Sequence, residues 1–337
     1  MTRTRTSVAV LLMAICCNPA RGQAPTTILN VELQNVVEYQ VDSSDSSKFG
    51  TNPNIVPGGL TVSGCLGKGI VGIGDIVAVN GHPAKGTYTT RGVAACINPN
   101  PVPGQPIGDV TFNTIRFETY EILQIDGTPV GTVMTNGLNA SAPSTPGPPA
   151  GALNFAIVGG TGAFLGARGQ AGKVQGNPIN VPIRTASITE DPANRRQNGG
   201  GHVVFTLYMV PMSQPTIATL ASGPAVTHSK DFSLVSASKP AAAGEILSLF
   251  ATGLGPTLPG VNPGQPFPTS PLAAVNSPVE VTVNGKSAEV LAATGYPGAL
   301  DGYQVNFRIP SDTAKGTAAI QVSAAWIPGA PVSIQVQ

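Results

Sequence analysis

The sequence predicts an all-β protein of two domains. The first observation is turn content, because 41 glycines and 32 prolines among 337 residues are close to twice the usual share. The second is that the apolar residues are largely Val, Ile and Ala in short runs, and long amphipathic helical patterns are hard to find. The third is the length of 337 residues, which suggests two domains.

Residues 1–24 have the pattern of a secretory signal peptide. Arg3 and Arg5 precede the short apolar run at residues 7–17, and small residues follow near Ala24. A membrane anchor is excluded by length, because spanning needs about 20 apolar residues and this run has roughly half of them. We therefore expect cleavage near Ala24 and a secreted or extracytoplasmic protein.

The first 210 residues are predicted to hold roughly eight strands. Residues 27–41 alternate apolar and polar positions, as in a half-buried strand, and Asp126-Gly127 marks a hairpin turn after residues 111–125. The polar turn at 43–47 and the Pro-rich stretch at 141–150 are predicted loops. The remaining strands are predicted at residues 69–79, 88–95, 130–135 and 154–170 (two arms of a Gly-rich hairpin), and at 181–188 and 201–210.

The Gly-rich run at residues 154–170 has two interpretations. An apolar strand before Gly-Gly-x-Gly is typical of a dinucleotide-binding turn, but that turn needs a long helix whose N-terminus holds the pyrophosphate. Two glycines and a proline within residues 171–178 would break such a helix. The sequence therefore favours a strand, a tight turn and a second strand without a nucleotide cofactor, and the structural turn residues are Gly159, Gly160 and Gly162.

Residues 213–231 are poor in charge and broken by prolines, which predicts a linker. We expect residues 25–212 and 232–337 to fold independently on either side of it. In the second unit, residues 279–283 alternate cleanly into Asn284-Gly285, a strong hairpin signal. About seven short strands in roughly 105 residues suggest an immunoglobulin-type sandwich. The other strands are predicted at residues 245–251, 289–292, 303–309, 318–322 and 332–336.

Part of the Gly-rich run resembles the hairpin of dirigent and allene oxide cyclase-like proteins: Gly159-Gly160-Thr161-Gly162-x-Phe164-x-Gly166-Ala167-Arg168-Gly169. Residues 204–210 look like the closing strand of the same families. The resemblance covers about residues 27–210 and implies an eight-stranded antiparallel β-barrel. Members of these families steer radical coupling or cyclise an unstable epoxide without a cofactor, and others have no established activity.

The same resemblance implies three ligand-binding candidates. Arg168 matches an arginine near the ligand cavity of dirigent proteins, where a fixed charge polarises an oxygen-rich ligand; the alternative is a solvated strand arginine or an internal salt bridge. Glu38 lies near the position of a glutamate in cyclase-like members. By alternation it points away from the apolar face of Val37 and Tyr39, which leaves its side of the barrel open. Asp75 follows Gly74, and it either contacts a ligand or caps a turn.

A second resemblance covers about residues 232–337. Residues 243–256, together with residues 281–285 and 303–310, resemble a C-terminal module found on many secreted bacterial proteins of unknown function. That module is similar in turn to the Ig-like domains of transcription factors and cell-surface receptors. The resemblance implies an accessory role in extracellular display or binding.

Charge and cysteine content narrow the function classes. Without the three arginines of the leader, 15 basic residues face 17 acidic ones, and a net charge near −2 argues against a nucleic-acid surface. Cys65 and Cys96 survive leader removal and predict one disulfide in an exported protein. Metal-ligand spacings such as Cys-x-x-Cys are absent from the sequence, and so is the Gly-x-Ser-x-Gly elbow of hydrolases.

Two functions remain open from the sequence. The first is a non-catalytic exported protein whose barrel binds a small apolar molecule or a cell-surface component, with the Ig-like module for presentation. The second is a cofactor-free cyclase or dirigent-like lyase that acts inside the barrel. The lumen discriminates between them: a closed apolar cavity with Arg168 and an acid pointing inward favours the lyase, and a lumen filled with side chains favours the binding protein.

Overall fold

The computed structural model describes residues 26–40, 69–96, 112–140, 154–173, 181–187, 190–262 and 264–337. It is all-β, as predicted. The first nine strands are β1 (Thr27–Gln40), β2 (Gly69–Val79), β3 (His82–Cys96), β4 (Phe112–Leu123), β5 (Pro129–Ala140), β6 (Asn154–Gly160), β7 (Arg168–Lys173), β8 (Arg184–Ser187) and β9 (Gly201–Val210). The signal peptide, the turn at 43–47 and the loop at 141–150 lie outside the described residues.

Eight antiparallel strands close a barrel, which confirms that part of the prediction. The order is β2-β3-β4-β5-β6-β7-β9-β1, and β1 pairs again with β2. Closure pairs every strand of the ring with two neighbours, so the ring leaves no free edge. β8 lies outside it and runs parallel to the last four residues of β1.

The two ends of the barrel differ. At one end, here named the floor, the strands are joined by the turns Asn80-Gly81, 124–128 and 161–167. At the other end, here named the rim, the strands β1, β3, β5 and β7 run into the four connections at 41–68, 97–111, 141–153 and 174–180. The structure of those connections lies outside the described residues.

The Gly-rich run forms the predicted strand, turn and strand. After β6 the chain makes a three-residue 3-10 turn, Gly162–Phe164, and then enters β7. Gly162 has a φ of 61°, and a Cβ on Gly160 would collide with the carbonyl oxygen of Phe164. Gly160 and Gly162 are therefore required by the turn, whereas a Cβ on Gly159 would make only an ordinary contact with Met134. The long helix of a dinucleotide-binding unit is replaced by a strand.

The second unit is a curled β-sheet consistent with a sandwich. In it, β18 pairs with β17 on one side and with β19 on the other, which links the two halves. The hairpin at Asn284-Gly285 is confirmed, with φ of 53° and 78°. The strands are β10 (Thr216–Ile217), β11 (Thr219–Leu220), β12 (Gly223–Pro224), β13 (Val226–His228), β14 (Ile246–Thr252), β15 (Thr257–Leu258), β16 (Ala274–Val275), β17 (Val279–Val283), β18 (Lys286–Gly295), β19 (Tyr303–Arg308), β20 (Gly316–Ala324), β21 (Ile327–Pro328) and β22 (Val332–Val336).

Residues 213–231, predicted as a linker, contain four of these short strands. β10 and β13 pair with β14, and the side chains of Ile217 and Val226 are buried in the core of the second unit. The low charge of residues 213–231 therefore reflects burial of some of these side chains, and not only a role as a linker. The division of the chain into two independently folding domains stays a prediction.

The second unit contacts the floor of the barrel. Ala325, in the turn between β20 and β21, and Ile327, the first residue of β21, are buried in the same apolar cluster that fills the lumen, and Trp326 packs against it. A Cβ on Gly255 would lie 3.5 Å from the Cβ of Ala163. The two Gly-rich motifs that carried the two resemblances therefore meet at this contact.

Candidate functional site

The rim half of the lumen carries a layer of polar side chains. On β4 the even-numbered residues from Arg116 to Ile122 are buried, whereas Phe117 and Glu121 are exposed, as the strand alternation predicts for Glu118 and Glu121. Neighbouring strands add their own inward residues at the same level. The luminal polar layer consists of Glu38, Thr90, Arg116, Glu118 and Thr135, together with the hydroxyl groups of Tyr88 and Tyr120.

Glu118 is fully buried between three hydroxyl groups. The Tyr88 hydroxyl donates to Oε1 at 2.8 Å, and the Tyr120 and Thr135 hydroxyls donate to Oε2 at 2.7 and 3.3 Å. Burial raises the pKa of Glu118, and the hydrogen bonds from the two tyrosines oppose this only in part. The carboxyl group is thereby able to hold a proton at a higher pH than an ordinary glutamate.

Glu38 and Arg116 form a buried ion pair beside Glu118. Arg116 Nη1 donates to Glu38 Oε1 at 2.5 Å and Nη2 donates to Oε2 at 3.3 Å. Burial by itself lowers the pKa of Arg116, but the hydrogen bond and charge of Glu38 outweigh it and raise the pKa. Gly92 and Gly137 stand opposite Arg116 on the two flanking strands, so no side chain on these partners competes with the guanidinium for space.

Two polar atoms of the layer have no hydrogen-bond partner. Thr90 Oγ1 and Arg116 Nε are both shielded from solvent, and neither has an acceptor or donor within reach among the described residues. Thr90 is paired in register with Glu118, so the two residues are neighbours on the luminal face, although the Thr90 hydroxyl does not bond to that carboxyl group. A Cβ on Gly72 would collide with Thr90 Cγ2, which shows how closely β2 approaches this threonine.

The ligand-binding candidates from the sequence have different positions. Glu38 is in the lumen and belongs to the polar layer. Arg168 is exposed on the outer wall at the start of β7, next to Gly169 with its φ of 141°. The ligand-binding role that the resemblance implies for Arg168 stays a prediction. Asp75 is on the outside of β2, where it accepts hydrogen bonds from Arg195 and Arg196. Cys65 and the side chain of Cys96 lie outside the described residues, so the disulfide stays a prediction.

Sequence reasoning missed Arg116, Tyr88 and the role of Glu118. A signal for the β4 residues was present, because Arg116, Glu118 and Tyr120 alternate in phase with Ile122, which is buried. In a barrel, such a run of polar residues on the apolar face marks a polar lumen. No sequence signal placed Glu38 opposite Arg116.

A second concave site lies between the floor and the second unit. It has a volume of about 460 Å³ and is lined by Gly162, Leu165, Asp301 and Tyr303, among others. The Tyr303 hydroxyl already donates to Gly255 O at 2.6 Å. The luminal layer carries the stronger indication of a ligand, because its free polar atoms are buried.

Neither a metal cluster nor a membrane span is found in the described part of the chain. No group of three or more His, Cys, Asp or Glu residues there is placed to hold a metal ion. No helix there has the length and apolar character needed to cross a membrane.

Comparisons with known proteins give little guidance. No protein-family model matches the chain, and no curated protein matches it. Among solved structures, the N-terminal domain of the Streptococcus gordonii adhesin Sgo0707 is similar at 10% identity over 94% of each chain, with a TM-score of 0.21. At that TM-score the similarity carries no argument about fold or function.

Proposed function

We propose that this chain is an exported ligand-binding protein. Its barrel, similar to dirigent and allene oxide cyclase-like proteins, takes a small and mostly apolar molecule that carries an oxygen acceptor. The second unit is an Ig-like module that presents the barrel outside the cell. The proposal includes removal of residues 1–24 and the Cys65–Cys96 disulfide.

The observation that carries the proposal is the pair of unpartnered polar atoms in the lumen. A buried donor without a partner costs about 1–3 kcal/mol, so a bound oxygen that satisfies Arg116 Nε and Thr90 Oγ1 is stabilised by the same amount. Glu38 neutralises the guanidinium, which favours an uncharged or singly charged oxygen group over a multivalent anion. The aromatic rings of Tyr88, Tyr120 and Phe205, with centroids 5.2–5.8 Å apart, provide apolar surface below the layer.

The test is to identify what the purified full-length protein retains. The protein is isolated without detergent, denatured, and its small-molecule extract is analysed by mass spectrometry. Thr90→Val removes one luminal hydroxyl, and Thr89→Val is the matched control because Thr89 is exposed on the opposite face of β3. We expect an oxygen-bearing molecule with the parent and with Thr89→Val, and roughly tenfold less with Thr90→Val, as one lost hydrogen bond predicts.

Decanoic acid, an apolar chain with one carboxyl group, serves as a defined probe in calorimetric titration. Saturable binding that Thr90→Val weakens supports the proposal. An empty extract together with no saturable binding of decanoic acid would contradict it.

One observation favours the second candidate function, a cofactor-free cyclase or lyase. Glu118 has a raised pKa, as general acid catalysis near neutral pH requires, and it is the register partner of Thr90 in the luminal layer. The apolar cluster that fills the floor half and the outward position of Arg168 favour binding without catalysis. If the retained molecule is recovered chemically changed by the parent and unchanged by Glu118→Gln, the protein is an enzyme.

A further inference from the structure

We propose that Asp75, Arg195 and Asn35, on the outside of the barrel, are positioning residues that set Glu38 into the lumen. This inference goes beyond ligand binding, since it concerns how the ion pair between Glu38 and Arg116 is formed in the luminal polar layer. Only its consequence for affinity rests on the proposed function.

The phase of β1 changes at Asn35. Before it, the odd-numbered residues Leu29, Val31 and Leu33 face the lumen. After it, Val36 belongs to the luminal cluster, whereas Val37 and Tyr39 pack outside against Ala186 of β8. Uninterrupted alternation would have turned Val37 and Tyr39 into the lumen and Glu38 to the outside, which would leave Arg116 buried without a carboxylate.

The change of phase is a β-bulge. Leu33 pairs with Val203 of β9, and the next pair is Val36 with Gly201, so two residues of β1 stand against one of β9. The pairing with β2 shows the same extra residue between Gln34 and Val37. Asn35 has a φ of 54°, a left-handed conformation that most side chains disfavour and asparagine tolerates.

Ion pairs hold this bulge from both sides. Asn35 Nδ2 donates to Asp75 Oδ2 at 2.9 Å, Arg195 Nη1 donates to Asn35 O at 2.7 Å, and Arg195 Nη2 donates to Asp75 Oδ1 at 2.6 Å. Arg195 lies in the four-residue helix α1 (Arg195–Asn198) between β8 and β9 and has only 8% of its side chain exposed. The bulge is therefore fixed by three elements, β1, β2 and α1.

Gly200 and the charge of Asp75 also support the bulge at Asn35. A Cβ on Gly200 would collide with the carbonyl carbon of Asn35, so glycine is needed for the segment after α1 to reach the bulge. Burial alone would raise the pKa of Asp75, but hydrogen bonds from Arg196, Arg195 and Asn35 outweigh it and hold the pKa well below its usual range. Asp75 thus remains an anion between the arginines.

The experiment follows the guanidinium protons of Arg116 by NMR in the ligand-free full-length protein. A guanidinium locked in a buried ion pair gives resonances that exchange slowly with water, and Glu38→Gln assigns them. Asn35→Val opposes the left-handed conformation, and Asp75→Asn removes the charge of the clamp. We expect at least tenfold faster exchange of the Arg116 protons in both variants.

Asn35→Gly is the control for the backbone conformation, because glycine tolerates the positive φ but loses the hydrogen bond to Asp75; its exchange rate should be closer to that of the parent than to that of Asn35→Val. Deletion of Asn35 is a second test of the proposal. Removal of the extra residue restores regular pairing of β1 while Glu38 still faces the lumen. The slow exchange of the Arg116 protons should therefore persist in this variant. The proposal is overturned if Asn35→Val and Asp75→Asn fold with exchange unchanged. It is also overturned if the deletion variant folds and loses the slow resonances, or does not fold at all.

Discussion

The floor half and the rim half of the lumen are built on the same strands by different means. The floor half is filled by apolar side chains such as Leu29, Ile122, Phe205 and Leu207. Their contribution to the free energy of unfolding depends on the volume that they fill and the apolar area that they bury. The rim half is filled by groups bound to particular partners, such as Arg116 on Glu38. The difference teaches that the floor half should tolerate changes of shape, whereas the rim half should tolerate only changes that respect charge and hydrogen bonding.

The largest decrease in the free energy of unfolding is expected when one member of the Glu38–Arg116 ion pair is removed. Arg116→Met leaves the carboxylate of Glu38 buried without its partner, which should lower the free energy of unfolding by about 3–5 kcal/mol. Replacing both residues by methionine removes the unpaired charge and should recover most of that loss. Urea denaturation of the two variants checks this. Equal destabilisation of the single and double variants would show that the pair acts through volume alone.

A change of shape in the floor half should cost less. Phe205 stacks on Tyr88 with ring centroids 5.6 Å apart, and Phe205→Leu keeps an apolar side chain there. We expect a loss of about 1–2 kcal/mol in the same urea measurement, from the smaller buried volume and the lost ring contact. If Phe205→Leu lowered the free energy of unfolding by more than Arg116→Met does, the floor half would be less tolerant of substitution than the rim half, and the contrast between the two halves would be wrong.

The pH dependence of stability provides a further test of the polar rim half, through Glu118. The pKa of Glu118 is raised in the folded state, so the folded protein binds this proton more tightly than the unfolded chain does. The resulting stabilisation is complete below the usual glutamate pKa and is lost as the pH rises through the raised value. Each tenfold difference in proton affinity between the two states corresponds to about 1.4 kcal/mol.

Glu118→Gln keeps the shape and removes this titration. Its stability relative to the parent should therefore increase from pH 4 to pH 8, measured by urea denaturation at several pH values. Glu121→Gln, at the exposed position on the same strand, is the control and should run parallel to the parent. A relative stability of Glu118→Gln that stays flat across this range would contradict the raised pKa.

The smallest effect is expected outside the lumen. Arg168 is exposed on the outer wall, so Arg168→Ala should change the free energy of unfolding by less than about 0.5 kcal/mol. It should also leave the retained molecule unchanged in the extraction experiment. Loss of that molecule would support the role that the dirigent resemblance implied for this residue.

Local patterns predicted much of the fold. The bounds of β2, β9, β17 and β22 agree with the sequence prediction, because alternation and turn residues such as Asn284-Gly285 act over a few positions. The candidate site was harder to predict from the sequence. Glu38 and Arg116 are 78 positions apart, and their meeting depends on a one-residue bulge held by Arg195, which is 160 positions from Asn35. No short window of sequence contains that information.

The turn at Ala325 and Trp326 has a consequence for the history of the chain. Because Ala325 and Ile327 share the apolar cluster of the lumen, a barrel separated at residue 212 would have an uncovered floor. Modules joined by a free tether exchange partners readily when genes recombine, since neither depends on the other's surface. Here Ala325 and Ile327 cover apolar residues of the barrel floor, so an exchange of either unit should leave a solvent-facing apolar patch that the new partner has to cover.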